Sequence, residues 1–221
     1  MRITIIFFIL VFICSCVSNQ ADGYAGDLKE RNDYSLLDGI RQMPKELSPI
    51  EYVHWVEDAH NGLRVKKQQG SFIYELQYQP LEYLVALQER KEELEKSVLE
   101  KEIEERDGFE YFTLKISTIR GKGLSSDEKI IIANKEWYFL SGMQKDITML
   151  CGDDTIKCAM LHVELSNNFI PYDQCLLAFE KPKNSGKDIR VIFRTDQYEK
   201  GCVELNIKRK SINKTPKLKT I

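Results

Sequence analysis

Apolar positions fall into three regimes along the chain. From Ile3 to Ile13 they run almost unbroken, with one threonine among them. Residues 17–46 are polar and rich in Asn, Asp, Gly and Lys, with Tyr34 to Ile40 the one stretch that reads as a turn of helix. From Leu47 onward apolar residues return, first at helical spacing and then with the alternation of strands.

Leu47-Ser48-Pro49-Ile50-Glu51 predicts a helix start. Ser48 is a good N-cap, Pro49 fits the first helical position, and Glu51 completes a capping box, with Leu47 placed to staple onto Tyr52. The helix is expected to run to about His60 and stop at Asn61-Gly62, with Ile50, Val53 and Val56 as its apolar face and Trp55 beside them. Leu63 to Gln68 and Ser71 to Tyr78 read as two strands around Gln69-Gly70. In the second, Phe72, Tyr74, Leu76 and Tyr78 alternate with more polar neighbours and give an aromatic inner face.

Pro80 opens what reads as the longest helix, ending near Asp107-Gly108. Leu81, Leu84, Val85, Leu87 and Leu94 line its first half; Val98, Leu99 and Ile103 form a thin stripe in a second half dominated by Glu and Lys. The spacing 84, 87, 91, 94, 98 mimics a heptad, but Lys91 interrupts it. A solvated helix lying on a sheet fits better than a coiled coil.

Beyond 109 the pattern turns to strands: Phe109–Ile119, Glu136–Leu140, Asp146–Cys151, Lys157–Leu165, Gln174–Glu180, Ile189–Arg194 and Cys202–Lys208. Alternation is clear in Ala159, Leu161, Val163 and Leu165. A second capping box, Ser125 to Glu128, starts a short helix through about Ala133. The expected class is α+β: an antiparallel β-sandwich or meander, with an N-terminal capped helix and one long helix packed on the sheet. The expected organisation is a leader over 1–15, a tether over 16–46, one domain over 47–208 and a mobile basic tail over 209–221.

Composition changes little in this picture. With 43% hydrophobic and 30% charged residues, the chain is of ordinary globular type. Charge is more informative. Residues 208–221 hold six basic side chains and no acid. Starting from a formal −2, loss of Arg2 with the leader gives −3, and setting the six basic side chains aside leaves −9 for residues 16–207. An acidic body argues against nucleic acid as a partner. The basic tail is a candidate for contact with anionic headgroups or an acidic partner, against the plainer reading of a solvated tail.

Met1-Arg2 followed by the apolar run is the pattern of an export signal, and the run is too short to span a bilayer. It ends in Ile13-Cys14-Ser15-Cys16, where Ile13 and Ser15 satisfy a lipobox for Cys16 and not for Cys14. Lipidation of Cys16 is therefore expected, giving a membrane-anchored envelope protein. Val17 in place of Asp favours the outer membrane under Gram-negative sorting.

Cys151, Cys158, Cys175 and Cys202 form an even set that reads as two disulfides in an exported chain. Three pairings are possible. Cys151–Cys158 is favoured because the pair brackets the turn sequence Gly152-Asp153-Asp154-Thr155, which leaves Cys175–Cys202 by elimination; buried free thiols are the competing reading. A zinc site is disfavoured by the spacing.

Candidate chemistry is sparse. Glu51, His54 and Asp58 share a helix face, with His60 nearby, and are the one cluster of metal-ligand types. Glu51 is already used by the capping box, and a surface face explains the cluster better than a metal. His162 lies on the outward side of a strand beside Glu164. No nucleophile-elbow, zincin or P-loop motif is present, so no catalytic residue, metal or cofactor is expected. The aromatic face of residues 72–78, with Trp55 and Trp137, is either a groove for sugar or peptide or, as core packing favours, an interior. Asn213-Lys214-Thr215 matches a sequon that is mainly eukaryotic.

Leu47 to Val53, Asn61-Gly62-Leu63, Leu76 to Tyr83 and Met143 to Ile147 together resemble a group of uncharacterised lipoproteins of Bacteroidetes-type bacteria, over about 45–208. The resemblance supports export and implies no site. In such a host Asp154-Thr155-Ile156 resembles an O-glycosylation acceptor, against the plain reading of a turn. The expected role is a non-enzymatic envelope domain that binds a protein partner or a surface glycan, or serves as a structural spacer. The alternative is an envelope hydrolase acting on glycans or peptides through carboxylates that the sequence does not single out.

Overall fold

Ser48 caps the first helix as its sequence dictates. Its backbone N–H and its hydroxyl both donate to the Glu51 carboxylate, at 3.0 and 2.7 Å, which holds that carboxyl below its usual range. The computed structural model describes residues 45–89, 91–119, 138–139, 142–164, 172–194 and 201–221. The leader with Cys16, the tether up to residue 44, the short helix expected near 125–133 and Trp137 lie outside the described residues.

Strand β1 (Glu46–Leu47) leads into α1 (Pro49–Glu57). Its buried positions are Pro49, Tyr52 and Val56, whereas Ile50 is about half exposed. The face is thus rotated from the expected 50/53/56 stripe, because Tyr52 has the larger apolar area to bury. A short 3₁₀ turn over Ala59–Asn61 follows, and Gly62 ends it at φ 75°.

Eight strands then build one antiparallel sheet: β2 (Arg64–Gln69), β3 (Phe72–Gln79), β4 (Phe109–Thr118), β5 (Ile147–Cys151), β6 (Asp154–Glu164), β7 (Tyr172–Glu180), β8 (Ile189–Arg194) and β9 (Cys202–Ile207). Their order is β2-β3-β4-β7-β6-β5-β8-β9. The edge strands β2 and β9 come into contact, so the sheet curls almost into a barrel. The architecture is α+β as expected. A single curled sheet stands where a sandwich or meander was expected, since β4 pairs with β7 and β5 with β8. Alternation decides which side chains face inward, but it carries no information about which strand lies beside which.

The expected aromatic inner face is interior. Phe72, Tyr74 and Leu76 are fully buried with Phe112, Leu114, Phe179 and Phe193. Edge-to-face ring pairs join the neighbouring strands β4 and β7 (Phe112–Phe179, 5.7 Å) and cross the interior from β3 to β8 (Tyr74–Phe193, 6.0 Å). In β6 a bulge between Cys158 and Met160 shifts the register. It lets Cys158 and then Leu161 and Val163 pack inward, and it exposes Ala159, the residue that the simple alternation places inside. Residues 138–139 are helical, which corrects the strand expected over Glu136–Leu140.

The expected long helix is two: α2 (Leu81–Glu89) and α3 (Lys96–Arg106). Between them Leu94 turns into the helical core with 1% exposure. The backbone freed at the break is taken up by the last residue of the chain: the Ile221 N–H donates to the Leu94 carbonyl and the Lys96 N–H to the Ile221 carbonyl. The helices pack on one another and at one end of the barrel, next to Tyr52, Val56, Leu63 and Tyr83, and form a second core.

The basic tail is likewise structured. Residues 209–212 form α4 and residues 217–218 form β10, which runs parallel to β1 with Leu47 opposite Leu218. Lys208 pairs with Asp188 at 3.0 Å. The tail is thus an arm that closes the helical layer, since Leu218 and the backbone of 217–221 supply contacts that no other segment provides.

The disulfide expectation is also corrected: the four cysteines are free. The β5–β6 hairpin turns on Gly152-Asp153 alone, with Cys151 opposite Asp154 and Thr148 opposite Lys157. Continued by one residue, this register sets Cys158 against position 147, four residues or roughly 13 Å along the strand from Cys151, well outside disulfide reach. Cys175 is buried on β7 beside Met143, while Cys202 is exposed at the start of β9, four strands away in the sheet. Burial raises the Cys158 thiol to about 11 and pushes Cys175 up further.

Two outcomes follow. In the native protein, iodoacetamide modifies Cys202 among these four thiols, and Cys151, Cys158 and Cys175 react only in denaturant; an intact mass lower by two hydrogens per bridge would contradict this. Gly62→Ala destabilises by about 1–3 kcal/mol in urea titration, because Gly62 has positive φ and an added Cβ would lie 2.5 Å from Ser211 Oγ. Adding Ser211→Ala restores only part of the loss, since the backbone strain persists.

Candidate functional site

One end of the barrel carries α1, α2, α3 and the C-terminal arm, because β2 starts there after α1, β3 leaves into α2, β4 arrives from α3 and β9 leaves into α4. Between this helical layer and the strand ends lies a cleft of about 610 Å³. Tyr78, Gln79, Phe109 and Glu110 come from the strand ends. Tyr52, Leu81, Leu99 and Ile103 come from the helices. Ile212, Thr215, Pro216 and Leu218 come from the arm. The walls thus mix apolar and polar surface, with charge supplied by Glu82, Asp107, Glu110, Lys181 and Lys217.

At the back of the cleft is a buried ion pair. Arg209 Nη1 lies 3.4 Å from Glu110 Oε1, and both side chains are at most 10% exposed. The same arginine donates from Nε to the Lys187 carbonyl at 3.2 Å and from its backbone to Asp188 at 2.9 Å. The Tyr78 hydroxyl also bonds to Glu110; burial, reinforced by that carboxylate, drives the phenol well above its ordinary value. Gln79 donates to Thr113. Arg209 Nη2, Gln79 Oε1 and Thr215 Oγ1 are sealed from solvent without a hydrogen-bond partner.

At the rim Lys181 pairs with Asp107, and this lysine holds the Asp107 carboxyl below its usual range. Glu82 lies close enough to Tyr52 and Tyr78 to raise both phenols in concert with their burial. Among the described residues neither Glu82 nor Lys217 forms an ion pair.

The residues singled out from sequence behave differently. Glu51 is bound to Ser48, and His60 Nδ1 lies 2.8 Å from Asp58 Oδ1. No group of three metal-ligating side chains is assembled among the described residues. His162 is exposed on the outer face of β6 opposite Leu176. Thr155 is exposed beside the hairpin turn, whereas Thr215 is partly buried in the cleft wall. Of the candidate aromatics among the described residues, Tyr78 reaches the cleft, Phe72 and Tyr74 fill the barrel and Trp55 packs against the helical core. Sequence reading missed Glu110, Arg209 and Glu82, because their significance lies in contacts spanning up to 99 residues.

Comparison with known proteins adds no relative: no family model matches the chain, and neither the curated proteins nor the solved structures give a match. No described helix is long and apolar enough to cross a membrane.

Removing one partner of the buried pair strands the other. Arg209→Met is expected to cost about 3–5 kcal/mol in chemical denaturation. Arg209→Met with Glu110→Leu recovers most of that loss, because no charge is then left buried. A double variant as unstable as the single one would show that the arginine acts by packing alone. A related pH dependence comes from Asp188, whose carboxyl is depressed by the Arg209 backbone N–H and Lys208. Its contribution is present above the ordinary carboxylate range, about pH 4, and is lost as pH falls through the lower folded value; Asp188→Asn removes that part of the acid transition.

Proposed function

We propose that this chain is a non-enzymatic binding domain of the cell envelope, held to a membrane by lipid on Cys16, and that its ligand occupies the cleft at the capped end of the barrel. The cleft carries the reading. Its size is that of a small-ligand site, and its walls set apolar side chains beside charged and polar groups at the back and the rim. The lipobox and the polar segment after it support the anchor.

The same cleft argues against the hydrolase alternative. Acid/base hydrolysis needs two carboxyl groups in different protonation states at a common bond. Here Glu110 is committed to Arg209 and Asp107 to Lys181. Glu82 remains, and one carboxylate is not a pair. Among the described residues, no cysteine or histidine lines the cleft.

Native mass spectrometry of the protein taken from membranes tests this. The expected spectrum shows a chain without residues 1–15, acyl mass on Cys16 and a small ligand that survives purification unchanged. Ile103→Trp, which fills the cleft, abolishes the ligand peak and leaves the acyl mass. A chain retaining Met1 overturns the anchor. Cleavage products that disappear with Glu82→Gln overturn the binding role in favour of hydrolysis.

A further inference from the structure

Among the described residues five charged side chains line the cleft, and their partners differ. Asp107 and Lys181 neutralise one another, and Glu110 is neutralised by Arg209 behind it. That leaves one anion and one cation facing the space without an ion-pair partner among the described residues: Glu82 at the start of α2 and Lys217 on β10. They belong to different walls, one helical and one from the arm. The same lining carries the apolar side chains Leu81, Leu99, Ile103, Pro216 and Leu218.

We infer that the cleft takes a short peptide with free termini, its ammonium set against Glu82 and its carboxylate against Lys217, with apolar side chains against the wall between. This rests on the cleft being a binding site, as proposed above, and it names the class of ligand. Charge complementarity selects a zwitterion over a singly charged ligand, since either charge alone would leave the opposite side chain unanswered. The apolar wall selects a body of hydrocarbon side chains. A saccharide suits the cleft less well. It would need many exposed hydrogen-bonding groups, and two of the neutral polar side chains here, Gln79 and Thr215, have an oxygen sealed from solvent. Glu82 is partly buried and Lys217 exposed, so the ammonium end is the stronger contact.

Isothermal titration calorimetry of the full-length lipidated protein in detergent, with trileucine as the probe, tests the assignment. Trileucine is expected to bind, and N-acetylation is expected to weaken it about tenfold. C-terminal amidation weakens it by a smaller factor, about threefold. Glu82→Gln weakens trileucine as much as acetylation does and leaves the acetylated peptide unaffected. Lys217→Gln stands in the same relation to the amide. Equal affinity for the free and capped peptides overturns the inference, as does tight binding of a neutral oligosaccharide such as maltotriose in place of trileucine. If neither probe binds, and the ligand found on the purified protein persists in Ile103→Trp, the cleft itself fails as the site and the inference falls with it.

Discussion

The carboxyl end of the chain closes the helical half of the molecule through backbone hydrogen bonds. Lys217 and Lys219 donate to Lys45 and Leu47, and Ile221 both donates to Leu94 and accepts from Lys96. Backbone groups left unpaired away from water are costly, and these belong to segments too short to satisfy themselves, a two-residue strand and a break between two helices. The helical layer therefore depends on the arm. Without it Leu94 loses the cover of Leu218 and the arm backbone, and α1, α2 and α3 are left to pack around Tyr52, Val56, Leu63, Tyr83, Val85 and Ala86.

The cleft is a consequence of that arrangement. A barrel end must be covered, and here the cover comes from four separate segments, α1, α2, α3 and the arm. The arm is fixed by Arg209, whose side chain and backbone reach Glu110, Lys187 and Asp188 at once. A buried ion pair gives little net stability but strongly penalises any arrangement that separates it, so the pair sets where the arm lies. The same pair neutralises Glu110 and leaves Glu82 and Lys217 to give the cleft its charge.

The cysteines illustrate how much turns on a single hairpin. A six-residue loop between Cys151 and Cys158 sets their sulfurs face to face, whereas the observed two-residue turn sends them four positions apart. Buried thiols pushed upward in pKa are neutral and poor nucleophiles. The domain is held by its two apolar cores and not by covalent staples, as its size allows.

The sequence by itself determined the elements with strong local signals. The Ser48–Glu51 capping box, the aromatic alternation of residues 72–78 and the strand over Ile189–Arg194 were legible because each depends on neighbours within a few residues. Tertiary structure alone decided the rest. The strand order, the bulge that turns Ala159 outward, the helix break at Leu94, the folding back of the basic arm and the meeting of Glu110 with Arg209 all depend on partners distant in the chain. The physical reason is common to them: periodicity records which side of an element is buried, while the identity of what buries it is settled only when the whole chain competes for the same interior.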